Sequence, residues 1–218
     1  MKRLLRENGL AIVMLALFAI SLIGQIVTGL IENNTDRVEH GETPLGLAAY
    51  LASGHFVEAV FENWESEFLQ MGAFVILTVS LRQKGSAESK RIEGEEDVDR
   101  QPEAKPGAPW PVWRGGLVLK VYENSLALAL FGLFALSIAL HAVGGAADFN
   151  DEQAMHGASE RVTPVSYVAT SRFWFESFQN WQSEFMSVGA LVILSIFLRQ
   201  RGSPESKPVD APHAETPG

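Results

Sequence analysis

Residues 61–90 read FENWESEFLQMGAFVILTVSLRQKGSAESK, and residues 178–207 read FQNWQSEFMSVGALVILSIFLRQRGSPESK. The two segments are identical at 19 of 30 aligned positions. The correspondence continues upstream, where ENGLAIVMLALFAIS at Glu7–Ser21 reappears as ENSLALALFGLFALS at Glu123–Ser137. These matches indicate a tandem duplication in which each copy holds two apolar stretches.

The overall composition hides how the charges are distributed. A chain of 218 residues with net charge −9 and 20% charged residues has the values of an ordinary soluble acidic protein. Yet Leu10–Ile31 and Leu126–Ala147 each contain no Lys, Arg, Asp or Glu. At about 1.5 Å per residue, such runs are long enough to cross a hydrocarbon core of about 30 Å. The second apolar runs, Met71–Leu81 and Val188–Leu198, reach that length only together with the carboxylate-bearing segments before them.

The pattern predicts an all-α membrane protein with four transmembrane helices, arranged as two tandemly duplicated helical hairpins in parallel orientation. We expect a first two-span repeat at 1–90, a flexible cytoplasmic linker at 91–115, a second two-span repeat at 116–207 and a disordered cytoplasmic tail at 208–218. The linker and the tail contain few large apolar side chains, so burial cannot offset the entropic cost of ordering them.

The outer loops carry a signal for short helices. Thr43-Pro44 and Thr163-Pro164 each place a good N-cap residue before a proline, which is favoured at the first helical position. Helices that begin there would contain Tyr50 or Tyr167. We expect these short helices to lie along the outer membrane interface.

The basic residues predict the topology. Of the 17 Lys and Arg residues, 14 lie at the N-terminus, between the second and third spans, or after the fourth span. The exceptions are Arg37, Arg161 and Arg172. Under the positive-inside rule, both termini and the linker are cytoplasmic, and the loops at 32–60 and 148–177 face outward. The first apolar run is too long for the core of a signal peptide, which favours an uncleaved, multi-pass protein.

Polar side chains at one level of the predicted spans form the candidate site. On the second and fourth helices, positions spaced i, i+3, i+4 and i+7 share one face. Glu67 and Glu184 are the carboxylates that both copies keep there, while Gln25 and His141 lie at a similar depth on the first and third helices. The candidate intramembrane polar cluster comprises Gln25, Asn63, Ser66, Glu67, Gln70, His141, Asn180, Ser183, Glu184 and Ser187.

Three interpretations of this cluster stay open. Its members can hydrogen-bond the helices together, at about 0.6 kcal/mol per contact. The two carboxylates can be hydrated from the outer surface. Alternatively, the cluster is a functional polar site, because an ionisable residue inside a membrane is costly and often marks an ion or proton pathway.

Other chemistry is weakly represented. The chain has no cysteine and no phosphate-binding loop, nucleophile elbow or HExxH motif, and no basic patch for nucleic acid. His40-Gly41 and His156-Gly157 recur in the outer loops, and paired histidines can bind a divalent metal. No further ligand at metal-like spacing is evident, which favours solvent-exposed loop histidines. We therefore expect no catalytic residue, no cofactor and no metal site.

Two functional hypotheses follow. The favoured one is a non-enzymatic membrane protein, a structural or partner-binding subunit that contacts the lipid bilayer and a second copy or an unidentified membrane partner. The alternative is a small cation or proton transporter or channel that uses Glu67 and Glu184 with His141. An intramembrane enzyme is disfavoured, because one histidine and two carboxylates provide no evident nucleophile or metal set.

Three segments carry a family resemblance: the RENGL opening, the SGHFxEAxFENWESEFLQMGA segment and the LRQ(K/R)GS close. With them the chain resembles an uncharacterised bacterial family of small four-span integral membrane proteins known only as a domain of unknown function. The resemblance implies a protein of the bacterial cytoplasmic (inner) membrane. It implies no activity and no functional residues.

Overall fold

A computed structural model describes residues 2–216, with side chains from Arg3 onward. No strand occurs between these residues, so the predicted all-α class is confirmed. The α-helices are α1 Lys2–Glu39, α2 Leu47–Leu51, α3 Gly54–Ser80, α4 Trp110–Arg114, α5 Gly116–Glu123, α6 Ser125–Met155, α7 Pro164–Tyr167 and α8 Ser171–Phe197. A 3-10 turn at Asp97–Asp99 lies in the otherwise irregular segment between α3 and α4.

Two of these helices have the length and composition of a membrane span, Arg3–Glu39 and Ser125–Met155. In the most apolar 18-residue window of the first, none of the residues is buried, and in that of the second 28% are buried. Helices α3 and α8 have 27 residues each but carry carboxylates in their first halves. The part of the chain that the structure describes therefore contains two helices apolar enough to cross a membrane by this criterion, not four.

Both long apolar helices have a backbone break at the same place in the repeat. Asn8, inside α1, has φ −132° and ψ 16°, and Asn124, between α5 and α6, has φ −111° and ψ 8°. The side-chain amide of each donates to a carbonyl four residues earlier, on Leu4 or Lys120. An asparagine that bonds its own backbone competes with the helical ladder, and the apolar run begins directly after it.

The chain divides into two compact units, one comprising Met1–Phe61 and Ala139–Phe173 and the other Glu62–Ile138 and Trp174–Gly218. Helices α3, α6 and α8 contribute residues to both units, whereas α1 lies within the first. We call them unit 1 and unit 2 and describe each by itself.

In unit 1, α3 and α6 approach backbone to backbone. A Cβ on Gly54 would lie 2.3 Å from the backbone nitrogen of Asp148, and a Cβ on Gly144 would lie 2.4 Å from the backbone nitrogen of Glu58. Neither contact leaves room for a side chain. Small residues at a helix crossing permit this kind of approach.

Two buried tyrosines fill the space over two further glycines of unit 1. A Cβ on Gly29 would lie 2.1 Å from the hydroxyl oxygen of Tyr50, and a Cβ on Gly145 would lie 2.3 Å from Cε1 of Tyr167. The glycines correspond under the 116-residue shift of the sequence, so the same packing occurs twice.

The short helices only partly follow the prediction. Thr163 is the N-cap of α7, its hydroxyl accepts from the backbone nitrogen of Ser166, and Pro164 follows at the first position. In the other loop the prediction is wrong, because the N-cap of α2 is Gly46 and not Thr43. Both caps lie four residues before the buried tyrosine of their helix.

An asparagine holds each outer loop against its long helix. Asn34 donates to the carbonyl of Leu45 at 3.0 Å and accepts from its nitrogen at 2.7 Å. Asn150 makes the same pair of bonds to Val162, both at 2.8 Å. Each side-chain amide thus supplies one donor and one acceptor to the backbone of its loop.

In unit 2, the two LRQ(K/R)GS(A/P)ESK segments fold alike. The hydroxyl of Ser89 accepts from the nitrogen of Gln83 at 2.8 Å, and that of Ser206 accepts from Gln200 at 2.9 Å. Ser86 of the first segment is hydrogen-bonded to Ser195 of α8 through their hydroxyl groups, at 3.0 Å.

The end of the chain packs against the second of these segments. Lys207 donates to the carbonyls of Pro212, His213 and Glu215 at 3.0–3.1 Å, and Arg199 donates to those of Pro208 and Ala211. Residues up to 216, expected to form a disordered tail, thus carry the acceptors for two basic side chains. Residues 217 and 218 lie outside the described residues. Burial, and to a lesser degree the nearby Arg199 charge, lower the pKa of Lys207.

Candidate functional site: a buried carboxylate–histidine pair

His141 lies at the centre of the polar groups of unit 1. It projects from α6, is fully buried, and its ring stacks on Phe173 of α8 with centroids 4.7 Å apart and planes inclined by 24°. A ring nitrogen of His141 and a carboxylate oxygen of Glu58, on α3, lie within 4.8 Å of each other. A buried imidazole beside a carboxylate can exchange a proton or bind a cation.

Glu58 is held in place by a tyrosine. It is 7% exposed, and the hydroxyl of the buried Tyr167 donates to its Oε1 at 2.9 Å. The ring of Tyr167 stands edge-on to Phe173, with centroids 5.8 Å apart. Gly145 makes room for this arrangement, because a Cβ there would lie 2.8 Å from Oε1 of Glu58. The glycine, the tyrosine and the carboxylate therefore form one packed group.

A second carboxyl group connects this pair with an arginine. Asp148, two turns beyond His141 on α6, is hydrogen-bonded to Glu58 through its side chain. A hydrogen bond between two carboxyl groups requires that one of them carries a proton. Arg172 Nη2 lies 3.2 Å from Oδ2 of Asp148, and Nη1 of the same guanidinium pairs with Glu152.

An acidic cavity of about 230 Å³ lies at this end of unit 1. It is lined by Glu32, Asn33, Asp36, His55, Asp148, Glu152, Met155, His156 and Arg172. Nε2 of His55 pairs with Oε2 of Glu32 at 3.2 Å, and its Nδ1 lies 3.4 Å from the Tyr50 hydroxyl. Burial, and then the Glu32 charge, raise the pKa of Tyr50, so its hydroxyl keeps its proton and can act as a donor.

The family described as Domain of unknown function (DUF6766) matches residues 1–218, the whole chain. The chain belongs to the DUF6766 family. No curated protein and no solved structure matches the chain. Membership agrees with the resemblance seen in the sequence and supplies no activity.

The cluster that the sequence predicts is divided between the two units of the DUF6766 chain. Gln25 and His141 lie in unit 1, where Gln25 donates to the carbonyl of Ala59 at 3.4 Å. The other eight belong to unit 2: Asn63, Ser66, Glu67, Gln70, Asn180, Ser183, Glu184 and Ser187. Of these, Ser66 and Gln70 are buried, Asn180 and Glu184 are half-buried, and Asn63, Glu67, Ser183 and Ser187 are exposed.

The serines of the predicted cluster bond their own helices. The hydroxyls of Ser66, Ser183 and Ser187 each donate to the carbonyl three residues earlier, at 2.7–2.8 Å. Glu184 lies near enough to Glu67 to interact with its charge. The serine hydroxyls of the predicted cluster are thus directed to the backbone of their own helices and not to the two carboxylates.

The buried carboxylate of unit 2 is Glu65, which the sequence argument passed over. It is fully buried, and its Oε1 accepts from the indole nitrogen of Trp181 at 3.2 Å. Residues two apart on a helix point to nearly opposite sides, so burial of Glu65 leaves Glu67 exposed. Glu67 was preferred because both copies keep it, whereas the counterpart of Glu65 is Gln182.

Glu58 and Asp148 were missed for related reasons. The counterpart of Glu58 is Phe175, so a search for shared residues discards it. Asp148 corresponds to Glu32 but lies just past the charge-free run Leu126–Ala147 that predicts the span. One sequence feature could have identified Asp148: the i, i+7 spacing of His141 and Asp148 places both residues on one face of α6.

Proposed function

We propose that this DUF6766 chain is a non-enzymatic integral membrane protein of the bacterial cytoplasmic membrane that acts as a structural or partner-binding subunit. The observation that carries the proposal is the apolar surface of α1. Its large side chains are exposed along its whole length, for example Leu10 at 80%, Leu15 at 67% and Ile31 at 62%. An apolar surface of this extent is typical of contact with lipid or with another protein.

Four spans are the layout that fits this role best. Helices α3 and α8 are each about 40 Å long at about 1.5 Å per residue, which is enough to cross a bilayer. Their second halves also present exposed apolar side chains, among them Val79, Ile193 and Phe197. With four spans, the basic residues place both termini and the linker in the cytoplasm.

Single-cysteine labelling tests the topology cleanly, because the chain has no cysteine of its own. Glu160→Cys, in the second outer loop, should react in intact cells with a thiol reagent that does not cross membranes. Glu95→Cys, in the linker, should react only after the cells are opened. Labelling of Glu95→Cys in intact cells would refute the four-span layout, as would recovery of the protein in the soluble fraction.

The partner-binding role needs its own measurement. Native mass spectrometry of the protein extracted from its own membrane in a mild detergent should show a complex, either with a second copy or with another membrane protein. Replacing exposed α1 residues such as Leu15 and Ile20 with Ala should weaken that complex. A monomer in every detergent, with α1 variants unchanged, would contradict the role.

Proton or cation transfer is the second candidate function, and the buried pair of Glu58 and His141 favours it. In this second candidate function, the carboxylate that binds the proton or cation is Glu58, in place of Glu67 and Glu184. Reconstituted vesicles should show a proton or cation flux that Glu58→Gln and His141→Gln abolish and Glu67→Gln leaves unchanged. Absence of flux in the wild type would reject this candidate and leave the first one standing.

A further inference from the structure

The two histidines of the outer loops lie against each other in unit 1. The ring centroids of His40 and His156 are 5.2 Å apart, and their planes are inclined by 59°. Each histidine directly follows a long helix, α1 or α6, and each precedes a glycine with positive φ, Gly41 at 79° and Gly157 at 74°. We propose that His40 and His156 together bind a divalent transition-metal ion of the Zn²⁺ class.

The hydrogen bonds of both rings prepare them for a metal. Nδ1 of His40 lies 2.9 Å from the carbonyl oxygen of Asp36, and Nδ1 of His156 lies 2.8 Å from that of Glu152. A carbonyl only accepts, so each Nδ1 carries the hydrogen and each neutral ring has its lone pair on Nε2. No described residue forms a hydrogen bond or ion pair with either Nε2. Metal-binding histidines are commonly oriented by such a bond from the second nitrogen.

The separation of the rings matches that of two imidazoles on one metal ion. The Zn–N bond is about 2.0–2.1 Å, and a ring centre lies about 1.1 Å behind its nitrogen, so two imidazoles at the tetrahedral angle have centroids about 5.2 Å apart. The observed distance between the centroids is 5.2 Å. The distance between the two rings is therefore the one that a shared cation requires.

The surrounding charges favour a cation. Asp36 and Glu152 precede the two histidines by four residues, a spacing that places each carboxylate beside its histidine on the helix. Oδ1 of Asp36 lies 3.4 Å from Nδ1 of His40. The cavity that His156 lines is also lined by the carboxylates of Glu32 and Asp148. The other basic groups that line it are the guanidinium of Arg172 and the imidazole of His55. The carboxyl ends of α1 and α6 add partial negative charge.

These observations change the interpretation that the sequence favoured. The sequence places the two histidines 116 residues apart and shows no third ligand beside either, unless the acidic residue four positions earlier is counted. Folding brings together two copies of an acidic-x-x-x-His segment. Two imidazoles, with carboxylate or water at the remaining positions, form a ligand set suited to Zn²⁺.

The test is a Zn²⁺ titration of the full chain in detergent, with any affinity tag removed. Isothermal titration calorimetry should give one saturable site per chain. His40→Gln and His156→Gln should each weaken binding at least about tenfold, in line with the loss of a metal ligand or its support. His213→Gln is the matched control, because His213 is exposed and its Nδ1 also faces a carbonyl, that of Ile196, at 3.1 Å.

A ligand exchange separates metal binding from folding. The chain contains no cysteine, so His40→Cys/His156→Cys would supply its only thiolates. This variant should bind Co²⁺ with a thiolate charge-transfer band that neither single substitution shows at full intensity. The proposal is overturned if the wild type shows no saturable Zn²⁺ binding, or if His40→Gln/His156→Gln binds Zn²⁺ as tightly as His213→Gln. It is also overturned if the cysteine variant, folded as judged by monodisperse elution, shows no such band.

Discussion

Helices α1 and α6 correspond in sequence, yet they differ in how they pack. In the most apolar 18-residue stretch of α1, no residue is buried. In the most apolar 18-residue stretch of α6, 28% of the residues are buried. Within unit 1, α6 supplies Gly144, whose backbone touches that of α3. The position on α1 that corresponds to Gly144 is Thr28, and the position on α8 that corresponds to Gly54 is Ser171. A second close crossing, between α1 and α8, would need glycine at both positions. The side chains of Thr28 and Ser171 occupy them instead.

The ion pairs near the carboxyl ends of α1 and α6 also differ. Arg172 pairs with both Asp148 and Glu152 of α6. Its counterpart His55 pairs with Glu32 of α1. An arginine keeps its charge at any physiological pH, whereas a histidine does not. Small, local substitutions therefore determine which of the two similar helices packs into the core.

The largest effect should come from closing the α3–α6 crossing. Gly144→Ala would place a Cβ 2.4 Å from the backbone nitrogen of Glu58 and 2.9 Å from the carbonyl carbon of Val57. Because backbone atoms cannot move aside as a side chain can, we expect a loss of about 3 kcal/mol in the free energy of unfolding. Thermal unfolding in detergent measures it. Thr28→Ala, the matched change on α1, should alter stability by about 0.5 kcal/mol or less.

A smaller effect should distinguish the two tyrosine contacts. Gly145→Ala would place a Cβ against ring carbons of Tyr167, which is hydrogen-bonded to Glu58, and we expect a loss of about 2 kcal/mol. Gly29→Ala meets chiefly the hydroxyl at the tip of Tyr50, so a loss of about 1 kcal/mol is expected. Equal losses in a side-by-side unfolding measurement would show that the two sites are packed equally tightly.

The caps of the short helices should differ by less. Thr163→Ala removes the capping bonds of α7 and should cost about 1 kcal/mol. Thr43→Ala should change nothing, because α2 begins after Gly46. Hydrogen exchange of the amides at 165–167 and at 47–51 gives a local readout of each change. Faster exchange at 47–51 in Thr43→Ala would mean that the Thr-Pro pair does cap α2.

A pH measurement away from both long helices should give the smallest effect. Burial, and then the charge and hydrogen bond of Glu205, raise the pKa of Glu88 above its ordinary value of 4.5. The folded chain then holds this proton more tightly than the unfolded chain. The stabilisation from Glu88 is therefore complete below pH 4.5 and is lost as the pH rises through the raised pKa.

Glu88→Gln should reduce this loss, so its melting temperature should fall less between pH 4 and pH 8 than that of the wild type. Glu103→Gln, an exposed linker carboxylate, is the control and should follow the wild type. A pH profile of Glu88→Gln that matches the wild type would show that Glu88 does not carry the dependence.

The helical class, the two long apolar helices and the places where each copy repeats a local structure can be predicted from the amino-acid pattern alone. These features depend on periodicity, on runs without charge and on residues such as Asn34 and Asn150 that bond nearby backbone. The cap at Thr163 belongs with them, because its partners lie within three residues. The cap proposed at Thr43 does not, since α2 has its N-cap at Gly46, three residues further along the chain.

Which polar groups contact one another depends on the tertiary structure. Glu58 and His141 are 83 positions apart in the printed sequence, and neither has a like counterpart in the other copy. Glu65 and Glu67 are equally acidic, and only the packing of Trp181 against Glu65 separates a buried carboxylate from an exposed one. A repeat identifies residues that two copies share, whereas burial depends on the neighbours each copy meets. For this reason the buried carboxylates Glu58 and Glu65 and the buried imidazole of His141 are groups that the duplication did not preserve.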